Sequence, residues 1–286
     1  MLPVIAPVVD ASFLAAHPHA IVADVRWYLD GRDGHESFRN GHLPGAIWID
    51  LDAHLAAHDL PATEGRHPLP TPEDFAASMA SLGIGNDSIV VAYDDVGGGV
   101  AGRLVVMLRM LGHDAALLDG GLTAWVADGH PLQEGEGRVA ESAAFTVAPW
   151  PADRLVDADT TATQAAAGGV VLDARAAERF TGEATQIDPR PGHIPGARNA
   201  PWQSVVGIDG RLLPADALRA HYAHLGVGTD APGDAEPIAY CGSGVSACLN
   251  LLAIEHLGLT PPRLYVASWS GYSADHDRAA EQGPHS

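Results

Sequence analysis

The residues best suited to chemistry lie in the segment 240–247, Tyr-Cys-Gly-Ser-Gly-Val-Ser-Ala. Cys241 follows an apolar run typical of a buried strand and precedes an apolar stretch with helical character. Gly242 and Gly244 let such a loop curl so that backbone N–H groups point at one spot, where the N-terminus of the following helix adds positive potential. Because this arrangement lowers the pKa of a thiol, we predict that Cys241 is nucleophilic near neutral pH.

Two other interpretations of Cys241 are weaker. A lone Cys is commonly buried and inert, but a Gly-rich loop between a strand and a helix is an unusual place for such a residue. Phosphatases of the Cys-x5-Arg type also use a cradled Cys. Here Ser246, Ala247 and Cys248 stand where the Arg would be expected, so no guanidinium is available for a phosphoryl group. Cys248 lies among Leu and Ile residues, and we expect it in the core.

The composition excludes several classes of function. The formal net charge is −20, and each of the sixteen basic residues is Arg. Such a negative field repels phosphate backbones and acidic lipids, so we expect no nucleic-acid and no membrane partner. Without Lys the chain cannot form a Schiff base or use a P-loop Lys, and an anionic substrate has to be held by Arg.

We expect no metal site. His54 and His58 are four residues apart, but no Glu accompanies them as in a His-Glu-x-x-His zinc site. The two Cys are too few for a disulfide framework, and no apolar run approaches the roughly 20 residues of a membrane span. The start of the chain lacks the basic residues of a signal peptide, so we predict a reducing, cytoplasmic location.

The chain is a duplication. Gly41–Ala46, Gly-His-Leu-Pro-Gly-Ala, recurs 151 positions later as Gly-His-Ile-Pro-Gly-Ala in Gly192–Ala197. Three further landmarks repeat in the same order at offsets of 147 or 149. We therefore predict a first domain over 1–135, a linker over 136–154 and a second domain over 155–286, because the boundary stretch holds Glu-Gly-Glu-Gly at 134–137 and Pro-Trp-Pro at 149–151.

Short apolar runs alternate with helical stretches in both copies, which is typical of parallel sheets flanked by helices. The predicted strands are Ile21–Asp24, Ile89–Tyr93, Ala115–Leu118, Val170–Asp173, Ile238–Tyr240 and Arg263–Val266. The predicted helices are Thr71–Leu82, Ala101–Leu111, Ala215–Leu225 and Val245–Leu257. The predicted fold class is therefore α/β. It puts Cys241 at the carboxyl end of a strand, where ligands bind in such sheets.

The His-Ile-Pro-Gly-Ala element, the strand-to-Cys loop and the segment 264–270, Leu-Tyr-Val-Ala-Ser-Trp-Ser, resemble the signatures of the tandem rhodanese family over nearly the whole chain. The resemblance implies two rhodanese-like domains and sulfur transfer through a Cys241 persulfide, with no metal or organic cofactor. In this family the first domain has lost its Cys, and Asp94 stands at the matching position here. Because a negatively charged side chain cannot accept sulfur, we expect the first domain to be catalytically silent.

The loop is similar to the Cys-Gly-Ser-Gly-Val-Thr of the 3-mercaptopyruvate sulfurtransferases in this family, whereas thiosulfate sulfurtransferases typically carry Cys-Arg-Lys-Gly-Val-Thr. The resemblance therefore implies 3-mercaptopyruvate as the sulfur donor. It also implies that Ser243, His67 and Asp52 move protons beside Cys241. The substrate-binding residues that it implies are Arg179 (before Phe180), Arg190 (after Pro189) and the loop residues Gly242, Gly244, Val245 and Ser246.

The resemblance suggests thioredoxin, cyanide or a small thiol as the sulfur acceptor. Two alternatives stay open. One is a thiosulfate:cyanide sulfurtransferase, a rhodanese, which performs the same chemistry on another donor. The other is a non-catalytic persulfide carrier or binding module, against which the complete loop and the matched pair of Arg residues argue.

Overall fold

The computed structural model describes residues 4–139, 141–184, 186–188, 190–228 and 235–283. The chain divides into two compact units, and each includes a short segment from the other half of the sequence. The first unit comprises Met1–Ala57, Leu69–Pro151 and Val206–Leu212. The second unit comprises His58–Pro68, Ala152–Val205 and Leu213–Ser286.

The first unit is built on a parallel sheet with the strand order β1-β5-β4-β2-β3. Its strands are β1 (Val8–Val9), β2 (Ile21–Asp24), β3 (Ile47–Trp48), β4 (Val90–Tyr93) and β5 (Ala115–Leu118). Its helices are α1 (Ala11–Ala16), α2 (Gly34–Asn40), α3 (Leu51–Leu55), α4 (Pro72–Ser81), α5 (Gly102–Met110) and α6 (Gly121–Ala127).

The second unit repeats this topology with the order β6-β10-β9-β7-β8, again all parallel. Its strands are β6 (Leu155–Val156), β7 (Val171–Asp173), β8 (Arg198–Asn199), β9 (Ile238–Tyr240) and β10 (Arg263–Tyr265). Its α-helices are α7 (Ala158–Ala166), α8 (Ala177–Thr181), α9 (Ala215–His224), α10 (Ala247–His256) and α11 (Ser268–Ala274), with 3-10 turns at Ala62–Glu64 and Trp202–Val205. The predicted α/β fold with two parallel sheets is confirmed.

Local signals explain where many helices begin. The side chains of Asp10, Asp33, Asp50 and Asp157 each accept a hydrogen bond from an amide in the first turn of the helix that follows. Thr71 does the same for α4, which has a proline in its first turn. These caps satisfy amides that have no partner within the helix. The strands β4 and β9 are buried at every position, as expected where helices cover both faces of a parallel sheet.

A buried Asp-x-Arg pair follows a central strand in each unit. Arg26 donates to Asp24 at 2.8 Å and to the carbonyl of Gly41 at 2.8 Å. In the second unit Arg175 donates to Asp173 at 2.6 Å and to the carbonyl of Gly192 at 2.8 Å. Each guanidinium thus ties the end of a strand to the first residue of the repeated Gly-His-x-Pro-Gly-Ala turn. In the second unit this strand lies beside β9, which leads to Cys241.

The two His residues of the repeated turn are structural, as their duplication suggests. In His42 and His193 the Nδ1 atom lies 2.9 and 2.8 Å from the carbonyl oxygens of Phe38 and Phe180, respectively. Each imidazole also stacks on the ring of the same Phe, with ring centroids 4.0 and 3.6 Å apart. Both side chains therefore hold the turn in place.

The elements predicted from the sequence lie within one or two residues of the observed ones, but the edges of both sheets and several helices, among them the nine-residue α7, were missed. Each missed edge strand, such as β3 and β8, has only two residues and therefore no periodicity to detect. The helix predicted from Val245 begins at Ala247, because the preceding residues belong to the curled loop after β9. No helix in the described part of the chain is both long and apolar enough to cross a bilayer.

Removing the buried cation of an Asp-x-Arg pair should destabilise the protein strongly. In the pair Asp24–Arg26 the side chains are 0% and 5% exposed, so Arg26→Ala leaves a buried carboxylate without its partner. We expect the free energy of unfolding to fall by about 3–5 kcal/mol, measured by urea unfolding. The control is Arg32→Ala, which removes the cation of a solvent-exposed pair with Asp30 and should leave stability nearly unchanged. Equal effects of the two substitutions would contradict this account.

Candidate active site

The loop that carries Cys241 begins at the carboxyl end of β9 and is held from outside by the first turn of α11. The amide of Cys241 donates to the hydroxyl of Ser268 at 3.1 Å, and its carbonyl accepts from the amide of Trp269 at 3.0 Å. The carbonyl of Gly242 accepts from the amide of Ser270 at 2.9 Å. Gly244 has a φ of +75°, and a Cβ there would collide with the carbonyl of Val266. The loop can therefore curl only with glycine at this position.

The curled loop surrounds the Cys241 sulfur with donors. Cys241 is 1% exposed, and burial on its own would raise the pKa of its thiol. The opposing contributions are larger in sum, so the net pKa is lowered. They come from the hydroxyl of Ser246 and from the amides of Ser243, Ala247 and Val245. Ser246 occupies the N-cap position of α10 without capping it by its side chain, and its hydroxyl is directed to the sulfur.

The matching loop of the first unit shows what this geometry binds. Asp94 follows β4 as Cys241 follows β9, and its carboxylate is fully buried. One carboxylate oxygen accepts from the amides of Val96 and Gly98 at 3.0 and 2.8 Å. The other accepts from the amides of Val100 and Ala101 at 2.8 and 2.9 Å. Burial raises the pKa of the Asp94 carboxyl group and the amide hydrogen bonds counteract only part of this rise, so the loop is a cradle of amide donors that the first unit fills with its own side chain.

A hydroxyl–imidazole pair lies beside the nucleophile. The Oγ of Ser243 and the Nδ1 of His67 are 2.8 Å apart, and both residues are buried. His67 reaches this position because the short turn Ala62–Glu64 packs on α11, where the amide of Arg66 donates to the hydroxyl of Ser270 at 3.1 Å. The structure therefore brings together Ser243, His67 and Cys241, three of the residues that the sequence predicted.

Two guanidinium groups face the loop above Gly242. A Cβ built on Gly242 would lie 2.7 Å from Nη2 of Arg179 and 2.9 Å from Nη2 of Arg66. A side chain at this position would have to push one of these two groups aside, so Gly242 leaves room for both. The sequence analysis identified Arg179 but missed Arg66. The available signals were its place directly before His67 and the scarcity of cations in the chain.

Asp188, which was also not predicted from the sequence, links the guanidinium groups to one another. Arg179 donates to its two carboxylate oxygens at 2.9 and 2.6 Å. Arg175 approaches the same carboxylate at 3.3 Å and Arg66 at 3.7 Å. Burial would raise the pKa of Asp188, but the hydrogen bond and charge of Arg179, with the charges of Arg175 and Arg66, outweigh it and lower the pKa. The carboxylate is therefore ionised and holds several cations at once.

Two further predicted site residues, Arg190 and Asp52, have described contacts with other groups. The guanidinium of Arg190 donates to the backbone carbonyls of His276 and Arg278 at 3.4 and 2.8 Å and lies over the ring of Trp269. None of these contacts is with the Cys241 loop, and Pro189, which helped to identify Arg190, lies outside the described residues. Asp52 belongs to the first unit, on α3, where its carboxylate accepts from the indole of Trp27 at 3.0 Å.

The second Cys is a core residue. Cys248 lies on α10, is fully buried and directs its sulfur to the carbonyl of Gly244 at 3.5 Å, so its predicted place in the core is confirmed. Within the described residues, no group of three or more His, Cys, Asp and Glu side chains is arranged to hold a metal ion.

Comparisons with known proteins agree with this geometry. The model of the rhodanese-like domain matches the chain twice, over residues 14–128 and 157–275. A probable 3-mercaptopyruvate sulfurtransferase of Pseudomonas aeruginosa is 41% identical over 285 residues, which cover 97% of this chain and 99% of that protein. A putative thiosulfate sulfurtransferase of Mycobacterium tuberculosis, SseB, is 38% identical over 277 residues, covering 96% of this chain and 94% of that protein.

Among solved structures, SseA from Escherichia coli, described as a 3-mercaptopyruvate sulfotransferase, superposes with a TM-score of 0.80. It is 34% identical, and the match covers 93% of this chain and 99% of that chain. The tandem arrangement and the enzyme class predicted from the sequence are both confirmed, since relatives that align along nearly the whole chain are sulfurtransferases. This chain is a sulfurtransferase that belongs to the rhodanese-like domain family, in its tandem form.

Proposed function

We propose that this enzyme transfers sulfur from 3-mercaptopyruvate to a thiol or cyanide through a persulfide on Cys241. The observation that carries the proposal is the surroundings of the Cys241 sulfur. It is a buried thiol with a lowered pKa in a cradle of amides, beside a hydroxyl–imidazole pair and two guanidinium groups. A thiolate nucleophile, a proton relay and a carboxylate clamp are what this donor requires.

The donor is held by its carboxylate. Arg179 and Arg66 each turn an Nη2 atom toward the space above Gly242, and their planar forks suit a carboxylate better than a point charge would. We therefore assign the second guanidinium of the substrate site to Arg66 rather than to Arg190, whose contacts are with backbone carbonyls. The substrate then lies over the loop residues 242–246, with its thiol sulfur directed to Cys241.

The first half-reaction breaks the carbon–sulfur bond of the donor. The Cys241 thiolate attacks the thiol sulfur of 3-mercaptopyruvate, a sulfur–sulfur bond forms, and the electron pair of the carbon–sulfur bond passes to the enolate of pyruvate. The hydroxyl of Ser243, resupplied by the imidazole of His67, gives the enolate its proton. The former thiol proton leaves with solvent, so that Cys241 carries a persulfide anion and pyruvate departs.

The second half-reaction removes the outer sulfur. The loop amides and the hydroxyl of Ser246 hold the persulfide anion until an acceptor thiolate or cyanide attacks its terminal sulfur, which regenerates the Cys241 thiolate. Thioredoxin, cyanide and small thiols are the acceptors proposed, and no metal or organic cofactor takes part. We propose a cytoplasmic location, where a reducing environment keeps Cys241 a free thiol for the first half-reaction.

The first domain has a supporting role in this proposal. The Asp94 carboxylate fills the loop of the first unit that matches the Cys241 loop of the second, so the first unit cannot bind sulfur at this place. Asp52 is proposed to orient His67, a role suggested by the family resemblance. The domain limits 1–135 and 155–286, with the linker 136–154, stay predictions.

Two alternatives differ in measurable ways. A thiosulfate sulfurtransferase would use the same Cys241 chemistry, and the Mycobacterium tuberculosis relative carries that name. The loop here has no cation of its own, and Asp188 neutralises part of the charge of the nearest guanidinium groups. This weaker positive charge favours 3-mercaptopyruvate, which is singly charged, over thiosulfate. A persulfide carrier without catalysis would bind sulfur but would not turn over.

The function is tested by supplying both donors with one acceptor. We expect 3-mercaptopyruvate to exceed thiosulfate in kcat/KM by at least about tenfold. Mass spectrometry after exposure to the donor should show a gain of about 32 Da on the wild-type enzyme and on Cys248→Ala, but not on Cys241→Ser. A preference for thiosulfate would support the first alternative, and a persulfide without steady-state turnover would support the second. A persulfide on Cys241→Ser would overturn the assignment of the nucleophile.

The pH dependence of Cys241 reactivity should show that the hydroxyl of Ser246 stabilises the thiolate. The thiolate fraction rises with pH through the thiol pKa, and this pKa is lowered in part by the Ser246 hydroxyl. In Ser246→Ala the midpoint of the iodoacetamide alkylation rate should therefore move to higher pH than in the wild type. The control is Ser204→Ala, since Ser204 is exposed on a 3-10 turn. If both variants have the wild-type midpoint, the Ser246 hydroxyl does not stabilise the thiolate.

The three candidate Arg residues should separate in kinetics. Arg66→Ala and Arg179→Ala should each lower kcat/KM for 3-mercaptopyruvate. The expected loss of transition-state stabilisation is about 1.5–3 kcal/mol, the usual contribution of a hydrogen bond to a charged group. Arg190→Ala should instead lower the melting temperature, because its guanidinium holds two backbone carbonyls. The reverse pattern, with Arg190→Ala impaired in kcat/KM at unchanged melting temperature, would restore Arg190 to the substrate site.

A further inference from the structure

We propose that Asp188 is a positioning residue that sets the donor specificity of the site. Its carboxylate holds Arg66 and Arg179 above Gly242 and neutralises enough of their charge to favour a monoanionic donor over a dianionic one. This inference rests on the proposed function, in which the sulfur donor binds above Gly242.

Arg66 contacts Asp188 and faces the loop through different nitrogens, whereas Arg179 uses one nitrogen for both. Arg179 donates to Asp188 through Nε and Nη2, and the same Nη2 is the atom nearest to Gly242. Because Nη2 carries two hydrogens, one can serve Asp188 while the other serves a substrate. Arg66 turns Nη1 toward Asp188 and the carbonyl of Ile187, and Nη2 toward Gly242. Asp188 therefore fixes both groups without occupying the substrate side.

The described ion-pair partners of the Asp188 side chain are all guanidinium groups. Its side chain is 2% exposed, and the ion pairs it makes are with Arg66, Arg175 and Arg179. A buried carboxylate surrounded by guanidinium groups is held in place by charge and hydrogen bonds rather than by apolar packing. Asp188, two residues before Arg190, does not cap a helix, because the described helix nearest to it in sequence, α8, ends at Thr181.

The balance of charge near Gly242 then depends on this one residue. The guanidinium groups of Arg66, Arg175 and Arg179 face the carboxylates of Asp173 and Asp188, which leaves one net positive charge. Without Asp188 the cluster would carry two. A dianion gains about twice as much as a monoanion from each added positive charge at the same distance, so its binding depends more steeply on the charge of the site.

Two substitutions change this charge in opposite directions. Asp188→Asn keeps the shape and removes the negative charge, so the ratio of kcat/KM for thiosulfate to kcat/KM for 3-mercaptopyruvate should rise by about tenfold or more. Arg66→Gln removes a positive charge, so the same ratio should fall. Asp188→Glu, which keeps the charge, should have a ratio near the wild-type value. Asp159→Asn removes a carboxylate that pairs with Arg278 elsewhere in the second unit and should leave the ratio unchanged.

The measurement is steady-state kinetics with both donors and one acceptor, with the melting temperature of each variant recorded. A ratio that rises in Asp188→Asn and falls in Arg66→Gln supports the proposal, because a purely structural role would reduce both donors alike. An unchanged ratio in Asp188→Asn, with both donors slowed equally, overturns it. If Asp188→Asn does not fold, Arg66→Gln decides, and a ratio that does not fall overturns the proposal. A wild-type enzyme that does not turn over 3-mercaptopyruvate would instead contradict the proposed function.

Discussion

The active loop depends on the burial of a hydrogen-bond acceptor at the carboxyl end of a central strand, where backbone amides are the donors available to stabilise it. The two units meet this constraint with different atoms. In the first, the Asp94 oxygens accept four amide hydrogen bonds, and in the second the Cys241 sulfur lies among the corresponding amides. Because an unpartnered buried charge is very costly, the curvature of the loop, its glycines and its attachment to α11 all serve to direct these amides inward.

A cradle of amides stabilises a thiolate but offers little long-range attraction to an anionic donor, and a donor that approaches a thiolate meets repulsion. The guanidinium groups of Arg66 and Arg179 supply the opposing charge from outside the loop. Gly242 leaves room for both, since a side chain at this position would have to push aside one of their Nη2 atoms. The loop amides therefore stabilise the nucleophile, and guanidinium groups from other parts of the chain attract the donor. Either function can change without the other.

Much of the fold and the nucleophile could be predicted because their signals are local. Buried strands such as β4 and β9 are continuous apolar runs, and the duplication repeats each landmark in order. The carboxyl-end rule for parallel sheets then places Cys241 at a binding edge without any knowledge of tertiary contacts. Ser243 follows from its place in the same loop, and His67 was identified through the family resemblance. The edge strands were missed because two residues carry no pattern.

The remaining parts of the site could not be predicted because they depend on convergence in space. Arg66 stands 175 positions before Cys241, and only the packing of the Ala62–Glu64 turn on α11 brings it to the loop. Asp188 has no local signature, since its importance comes from three cations in two separate segments that meet at one carboxylate. The absence of Lys bears on this arrangement. A planar guanidinium can donate to Asp188 on one side and face a substrate on the other, whereas a single ammonium group would offer a point charge to both. A chain whose cations are all Arg is therefore suited to share one carboxylate between several guanidinium groups and still present hydrogen-bond donors to an anionic donor.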